Sequence, residues 1–348
     1  VELRAFLFCF ILALIVTPLV IKLALLVGAT DHPNGRKVHK KPMPRLGGLA
    51  VYLSVVLGVI VYMPDDPLVF PILLGATIIV CTGIIDDIVN LKPLYKLMGQ
   101  GTAAFIVIAS GIQIEFINLP DQTVIDFQFW SIPITLLWIV GVTNSINLVD
   151  GLDGLAAGIS SIALLTISGM AIMVGNEFVM LIGLMMLGGT LAFLVFNFYP
   201  AKIFMGDTGA MFLGFMISVL SLLGFKNVTL FSLVIPILIL GVPISDTIIA
   251  MVRRTMQRKP IMKADFSHLH HNLLKLGYSH PQTVVVIYTL SALFCLSAVL
   301  FSQATLINSL VVVVLLVFTL EIIVEITEVA GEKYRPILKR IESQQSKE

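Results

Sequence analysis

Hydrophobic runs long enough to cross a bilayer follow one another along nearly the whole chain, and that succession leaves few folds open to it. A helix rises 1.5 Å per residue, so roughly 17–25 apolar residues are needed to cover the hydrocarbon core. Such runs occupy 3–27, 46–63, 68–85, 97–112, 129–147, 155–174, 178–196, 209–224, 229–251, 283–301 and 306–327, about eleven predicted spans. The shortest, 97–112, is interrupted by Gly99, Gly101 and Gly111. Composition agrees: of 348 residues 57% are hydrophobic and 12% charged, against roughly 45–50% and about 25% in soluble domains. Lipid cannot satisfy backbone N–H and C=O groups, so the chain is predicted to be an all-α, polytopic integral membrane protein. Cys9, Cys81 and Cys295 each stand alone in an apolar run and read as packing residues. No fixed-period repeat is visible.

Basic residues are distributed unevenly between the loops. With the N-terminus outside, all but Arg4, Lys22 and Lys226 of the 22 Lys and Arg residues fall in cytosolic segments, the side that such residues favour. An odd number of spans is needed to keep this bias, so charge supports both the count and a cytosolic C-terminus. Outer loops carry acids instead, among them Asp65, Asp66, Glu115, Asp121 and Asp126. The chain therefore reads as one transmembrane catalytic domain over 1–328, with cytosolic loops 28–45, 86–96, 148–154, 197–208 and 252–282. A charged cytosolic tail follows over 329–348. The first run is too long for a signal-peptide core and no small-residue cleavage site follows it, so it is expected to be retained. The net charge of +1 says little about partners, because the two signs are segregated along the chain, and nothing in the sequence points to nucleic acid.

Clusters of reactive side chains sit where the apolar runs end, on the cytosolic side. Asp86 and Asp87 close the third run, and adjacent carboxylates at a bilayer edge are costly unless a cation or a wet cleft receives them. By themselves they read equally well as a solvated helix end. Asn144, Asn147, Asp150 and Asp153 recur every third residue, a spacing that makes one polar stripe on a helix. Asn as interhelical glue, or Asp as an N-cap, accounts for one or two of these but not four. The third cluster, 196–209, holds Asn197, Lys202 and Asp207 among Phe198, Tyr199 and Phe204. Asp207 alone would be a helix N-cap, and the aromatics are either an interfacial belt or a platform for a planar base. Several Asp oxygens without paired Cys fit Mg²⁺, or Mn²⁺ in its place, bound together with substrate phosphates. That chemistry is phosphoryl transfer.

A fourth cluster, His268-Leu269-His270-His271, would suit Zn²⁺ on residue type. Its setting argues for anions instead, because Arg253, Arg254, Arg258, Lys259 and Lys263 precede it and a cationic loop repels a cation. The three His are read as hydrogen-bond donors to phosphate.

In this order the motifs resemble the polyprenyl-phosphate N-acetylhexosamine-1-phosphate transferases. The resemblance rests on Arg36-Lys37-Val38-His39 with Pro44-Arg45-Leu46-Gly47-Gly48, and on Asp86-Asp87 with Lys96 and Gln100. It continues through Asn144, Asn147 and Asp150-Gly151-Leu152-Asp153-Gly154, then Phe196-Asn197, Pro200-Ala201 and Phe204-Met205-Gly206-Asp207, and ends on the His motif. The family implies a multi-span helical fold whose cleft faces the cytosol across the plasma membrane. It also implies Mg²⁺-dependent transfer of a sugar phosphate from a UDP-N-acetylhexosamine to a polyprenyl phosphate such as undecaprenyl phosphate, with release of UMP. The His-Leu-His-His form looks like the UDP-GlcNAc branch, which starts teichoic acid linkage units, O-antigen or related envelope glycans. The branch using UDP-MurNAc-pentapeptide typically shows three consecutive His. Ala264-Asp265-Phe266 departs from the Pro-Asp-basic stretch common in the GlcNAc branch, which leaves the donor sugar less fixed than the reaction. The bilayer is the other implied partner, and a homodimer is left open.

Carried over residue by residue, the resemblance implies that Asp207 is a metal ligand with Asp153 the second. Asp86 and Asp87 would lie where lipid phosphate meets the diphosphate, with Asp150 a further catalytic group and Asn144 and Asn147 binding substrate. Asn197 and Phe204 would contact uridine. Lys41, Arg45 and Lys96 would neutralise phosphates, and Arg254 with His268, His270 and His271 would hold the sugar diphosphate. A phosphate monoester with a second pKa near 6 is mostly dianionic at neutral pH and needs little help to attack. Direct attack is therefore favoured, while a two-step route through a covalent Asp intermediate stays open. A secondary transporter is the reading from another class, although transporters gather ionisable groups near the bilayer midplane. Glu321 and Glu325, in the last run, have no assigned role.

Overall fold

A computed structural model describes residues 1–31, 42–118, 123–225, 234–258, 267–303, 306–327 and 329. Helices dominate: α1 (Glu2–Val27), α2 (Gly47–Tyr62), α3 (Val69–Val89), α4 (Pro93–Ala109), α5 (Ser131–Val149), α6 (Leu155–Val174) and α7 (Glu177–Asn197) fill the first part. They are followed by α8 (Gly206–Phe225), α9 (Val234–Ile239), α10 (Gly241–Met256), α11 (Leu269–Lys275), α12 (His280–Gln303) and α13 (Leu306–Thr327). A 3-10 turn (Gln128–Trp130) and two small antiparallel pairs complete the described elements, β1 (Thr30–Asp31) with β2 (Met43–Pro44) and β3 (Phe116–Asn118) with β4 (Val124–Asp126).

Seven described segments have the length and composition of membrane spans: α1, α3, the stretch Gln128–Val149 that contains α5, α6, α7, α8 and α12. The apolar α2 is shorter, at 16 residues. On α1 a stripe of Leu3, Leu7, Ile11, Ile15 and Leu19 is exposed. Spacing of four puts these side chains on one helix face, a face that suits lipid rather than water.

The middle of the bundle is α8, whose apolar stretch is 89% buried where that of α1 is 22% buried. It packs against α2, α3, α5 and α6. Small residues make these approaches close, as between helices in lipid generally. A Cβ on Gly48 would stand 1.9 Å from the Cα of Gly209, so α2 and the first turn of α8 touch backbone to backbone. The buried hydroxyls of Ser218 and Ser221 on α8 are satisfied within the helix, donating to the carbonyls of Phe215 and Ser218.

One expected span differs. Residues 229–251 do not form a single helix, because the described part breaks at Leu240 into α9 and α10. Pro243 has no N–H to give the carbonyl of Ile239, its helical partner four residues back. That carbonyl instead accepts from the Cys295 thiol of α12 at 3.6 Å. Beside it, Gly241 lies against the ring of Phe294, where a Cβ would come within 2.2 Å of a ring carbon.

Backbone contact at Gly48 and open space at Gly101 give opposite expectations for the same substitution. Gly48→Ala should lower stability by about 3 kcal/mol or more, since backbone cannot repack around a methyl as side chains do. Gly101→Ala, within α4, should be neutral or stabilising by up to about 1 kcal/mol. Thermal unfolding of both purified variants in detergent checks the pair, and equal melting temperatures would overturn the packing assignment.

Candidate active site

The ends of α3, α5 and α7 and the starts of α2, α4, α6 and α8 meet at one end of the bundle, and the first turn of α8 is where they are tied together. A helix start leaves N–H donors unpaired and carries partial positive charge. Asp87, at the end of α3, supplies what is missing. Its Oδ1 accepts from the N–H of Asp207 at 2.9 Å, and its Oδ2 accepts from the N–H and hydroxyl of Thr208 at 3.0 and 2.6 Å. Gly206 just before has φ +71, and a Cβ there would fall 2.5 Å from Asp87 Oδ2 and 2.1 Å from the carbonyl of Arg45. A side chain at 206 would thus be strained and would also separate the groups that form the site.

Charges of both signs are interleaved around this turn. Arg45 places Nε 3.1 Å from Asp87 Oδ1 and an Nη 2.8 Å from Asp207 Oδ2. Lys96, in the first turn of α4, stands 2.5 Å from Asp86 Oδ2 and 3.4 Å from Asp207 Oδ1. Asn147 donates to that same Asp207 oxygen at 2.6 Å. Burial works against the charges of Arg45 and Lys96, but the acids around them outweigh it and both pKa values rise. Asp86 is held further by the N–H of Leu91, which donates to its Oδ1 at 2.7 Å. Backbone bonds lock Arg45 into place: Phe204 N–H donates to the Pro44 carbonyl, and Gly47 and Gly48 donate to the carbonyls of Phe204 and Met205. One turn deeper, Asn144 and Gln100 bond to each other side chain to side chain, at 2.7 Å in the stronger direction.

The loop 150–154 lies against this cluster and is anchored from two sides. Asn197 accepts the N–H of Gly154 at 3.1 Å and donates to the carbonyl of Ile203 at 2.9 Å, stitching two loops together. Tyr288 of α12 donates to the Gly154 carbonyl at 2.5 Å. Asp153 accepts from Ala201 N–H at 3.0 Å, and its own N–H donates to His280 Nε2 at the same distance. Asp150 lies within reach of Asp207, Arg45 and Asp87; burial pushes its carboxyl up to about 8, repulsion from Asp207 adding to the effect and Arg45 opposing it.

The His motif forms the far wall. His270 packs against Gly151, where a Cβ would lie 2.3 Å from Nε2, and that nitrogen is buried without a hydrogen-bond partner. Burial pushes the His270 pKa down to about 3, with His271 adding to the shift. The rings of His268 and His270 are parallel with centroids 6.0 Å apart, and those of His270 and His271 are 4.1 Å apart.

Most of the residues singled out by sequence meet here. Asp86, Asp87, Lys96, Arg45, Asn147 and Asp207 are in direct mutual contact, Asn144 stands behind them, and Asp150 and His270 close on them from the loop side. Asn197 and Phe204 act on the site through loop backbone, and Asp153 bonds to the 201 segment rather than to Asp207. Arg254 is buried in the last turn of α10. Lys41 and Ala264-Asp265-Phe266 lie outside the described residues. Sequence reading passed over Gln100's partnership with Asn144, and Asp246 of α10, whose two oxygens accept from Leu269 N–H and meet His268 Nδ1, each at 2.9 Å. An acid in mid-span was itself the available signal.

Among the described residues no three His, Cys, Asp or Glu side chains form a ready-made metal site. Mg²⁺ shared with substrate phosphates needs only one or two carboxylates. Asp207 meets that need together with Asp153, the second ligand that the resemblance implies, which gives only Oδ2 to Ala201, or with Asp150, which repels Asp207 where both are buried, so the donor set fits.

Fold and site together define a polytopic helical membrane protein with a cluster of interleaved acids and cations, a setting for handling phosphates. Residues 69–225 match glycosyl transferase family 4. A probable undecaprenyl-phosphate N-acetylglucosaminyl 1-phosphate transferase of Bacillus subtilis is 45% identical over 96% of this chain and 94% of its own length. A decaprenyl-phosphate N-acetylglucosaminephosphotransferase of Mycolicibacterium smegmatis is 34% identical over 86% of this chain and 82% of its own. A phospho-N-acetylmuramoyl-pentapeptide-transferase of Halalkalibacterium halodurans is 30% identical over 83% and 94%. The chain belongs to glycosyl transferase family 4, and the resemblance drawn from its motifs is borne out.

A folded-state pKa near 3 for His270, below the ordinary ~6.5, means that the unfolded chain binds the extra proton first as pH falls. The stability carried by a neutral His270 is complete above pH ~6.5 and is lost as pH drops toward 3. Asp150 acts with the opposite sign, so the test is a difference. The melting temperature of the native protein relative to His270→Gln should decline between pH 7 and 5, and a constant difference would show that His270 is not held neutral by burial.

Proposed function

We propose that the protein transfers GlcNAc-1-phosphate from UDP-GlcNAc to undecaprenyl phosphate, releasing UMP and leaving a polyprenyl-diphospho-GlcNAc that starts an envelope glycan such as teichoic acid. The observation that carries this is the joining of Asp86, Asp87, Asp207, Arg45 and Lys96 at the start of α8. The GlcNAc donor is supported by the 45% identity to the Bacillus subtilis transferase, against 30% for the pentapeptide transferase. The pocket is placed on the cytosolic face of the plasma membrane, where UDP-sugars are, in keeping with the distribution of Lys and Arg. A transporter finds no support in ionisable groups that gather at one end of the bundle.

The reaction joins an anionic nucleophile to an anionic diphosphate, so charge repulsion is the barrier that the pocket must lower. A lipid phosphate oxygen attacks the β-phosphorus, the new P–O bond forms, and the bond to the bridging oxygen breaks as UMP leaves. Arg45 and Lys96 supply fixed positive charge to these oxygens, and the start of α8 adds its N-terminal partial charge. Mg²⁺, held by Asp207 with Asp153 or Asp150, would when bound draw charge from the phosphoryl oxygens. Asp87 holds the site together rather than attacking, because both of its oxygens are engaged and its side chain is 0% exposed. This favours direct attack over a covalent aspartyl route. His268, His270 and His271 line the side that receives the sugar diphosphate, with Arg254 in the same region of the sequence and Asn197 and Phe204 on the nucleoside side.

Purified protein given Mg²⁺, undecaprenyl phosphate and a panel of UDP-sugars should release UMP with UDP-GlcNAc far faster than with UDP-MurNAc-pentapeptide; the reverse order would replace the donor. Asp207→Asn keeps the shape but removes the charge, and kcat should fall by about 10²-fold or more with folding intact. Without lipid, no stoichiometric UMP burst and no labelled sugar phosphate on the protein should appear. A burst with label traced to Asp86 or Asp87 would establish the two-step route.

A further inference from the structure

We propose that Asp246 is a positioning residue for this phosphoryl transfer, acting through His268; the proposal rests on the transferase reading above. Asp246 is buried in α10, 5% exposed, where an uncompensated carboxylate costs several kcal/mol. Both of its oxygens are spent on one short segment of the chain. Oδ1 accepts the N–H of Leu269, which caps the start of α11, and Oδ2 meets the Nδ1 of His268, both at 2.9 Å.

A cap needs only the first of these bonds. The second fixes the plane of the imidazole and draws the ring proton to Nδ1, since a carboxylate can only accept. Nε2 is then the ring nitrogen left for a ligand, as an acceptor when the ring is neutral and as a charged donor when it is not. The fixed ring also sets its neighbour: His270 lies parallel to His268, 1° apart in plane, and rests on Gly151 beside Asp150. Asp246 therefore reaches the reacting groups through the orientation of the His wall, although it touches none of them itself.

Asp246→Asn separates the two bonds. Its amide oxygen can still cap Leu269, while its N–H₂ group faces Nδ1 and moves the ring proton to Nε2. A merely structural acid would leave kcat alone once folding is preserved. The proposal expects kcat with UDP-GlcNAc to fall about 10²-fold or more, the wrong tautomer costing up to about 10⁴-fold where the imidazole is itself the general base, with the melting temperature within a few degrees of native. His268→Gln should show a loss of similar size, and Asp246→Asn/His268→Gln no further loss, because both changes remove one unit. Losses that multiply in the double variant, or an Asp246→Asn enzyme as active as the native one, would overturn the proposal. Where Asp246→Asn does not fold, Asp246→Glu, which keeps charge and both acceptors but shifts the ring, takes its place in the same cycle. A native protein inactive on every UDP-sugar would instead defeat the parent reading, and this proposal with it.

Discussion

Asp87 reaching from the end of one helix to three donors at the start of another is the interaction on which the rest of this structure depends. A helix start buried in a membrane protein cannot leave its N–H groups to water, and a carboxylate buried there cannot stay ionised without donors. Each solves the other's problem. The bond fixes the register of α3 against α8, and the close approach of Gly83 to Thr208, where a Cβ would be 2.4 Å from the Thr208 Cα, leaves no room for slippage. Arg45 spans Asp87 and Asp207 and so extends the same lock to the strand-like segment before α2.

The lock has a chemical result. Carboxylates packed this densely repel one another, and Arg45 and Lys96 are what make the arrangement tolerable. Groups that neutralise acids in one state can neutralise phosphates in another, so a pocket built from alternating signs suits substrates that bring several negative charges of their own. In the described structure, cations and acids satisfy each other. Substrate phosphates and a divalent ion would divide those roles differently while keeping total charge in balance.

Holding and reacting are assigned to different residues. Asp87, Asn197, Tyr288 and Asp246 spend their polar atoms on backbone or on another side chain, and so fix loops and rings. Asp207 gives its oxygens instead to the cations Arg45 and Lys96 and to Asn147, partners that substrate phosphates can take over, with Asp150 and His270 beside it. Among these His270 is notable for a buried nitrogen without a partner, a cost that a fold tolerates where function asks for it.

Much of this was legible in the residues. Long apolar runs force helices because lipid accepts no unpaired backbone, and polar residues at run ends mark where chemistry can survive. That reasoning located Asp86, Asp87, Asn147, Asp150 and Asp207. It treated 229–251 as one span, since hydropathy does not register which carbonyl a proline leaves without a donor; the thiol of Cys295, distant in sequence, donates to it instead. Asp87 and Asp153 took their expected roles from the motif resemblance, and the residues alone did not show that both oxygens of Asp87 and one of Asp153 bond to partners about 120 and 48 positions away. Asp246 stood out only as an acid in mid-span, and its role was hidden for the same reason, its partners lying 22 and 23 positions away. Sequence determined the solvent of each segment and the chemistry each end could supply. Tertiary structure decided which of those groups are spent on one another and which stay free to act, because hydrogen bonds are settled by geometry across helices and not by order along them.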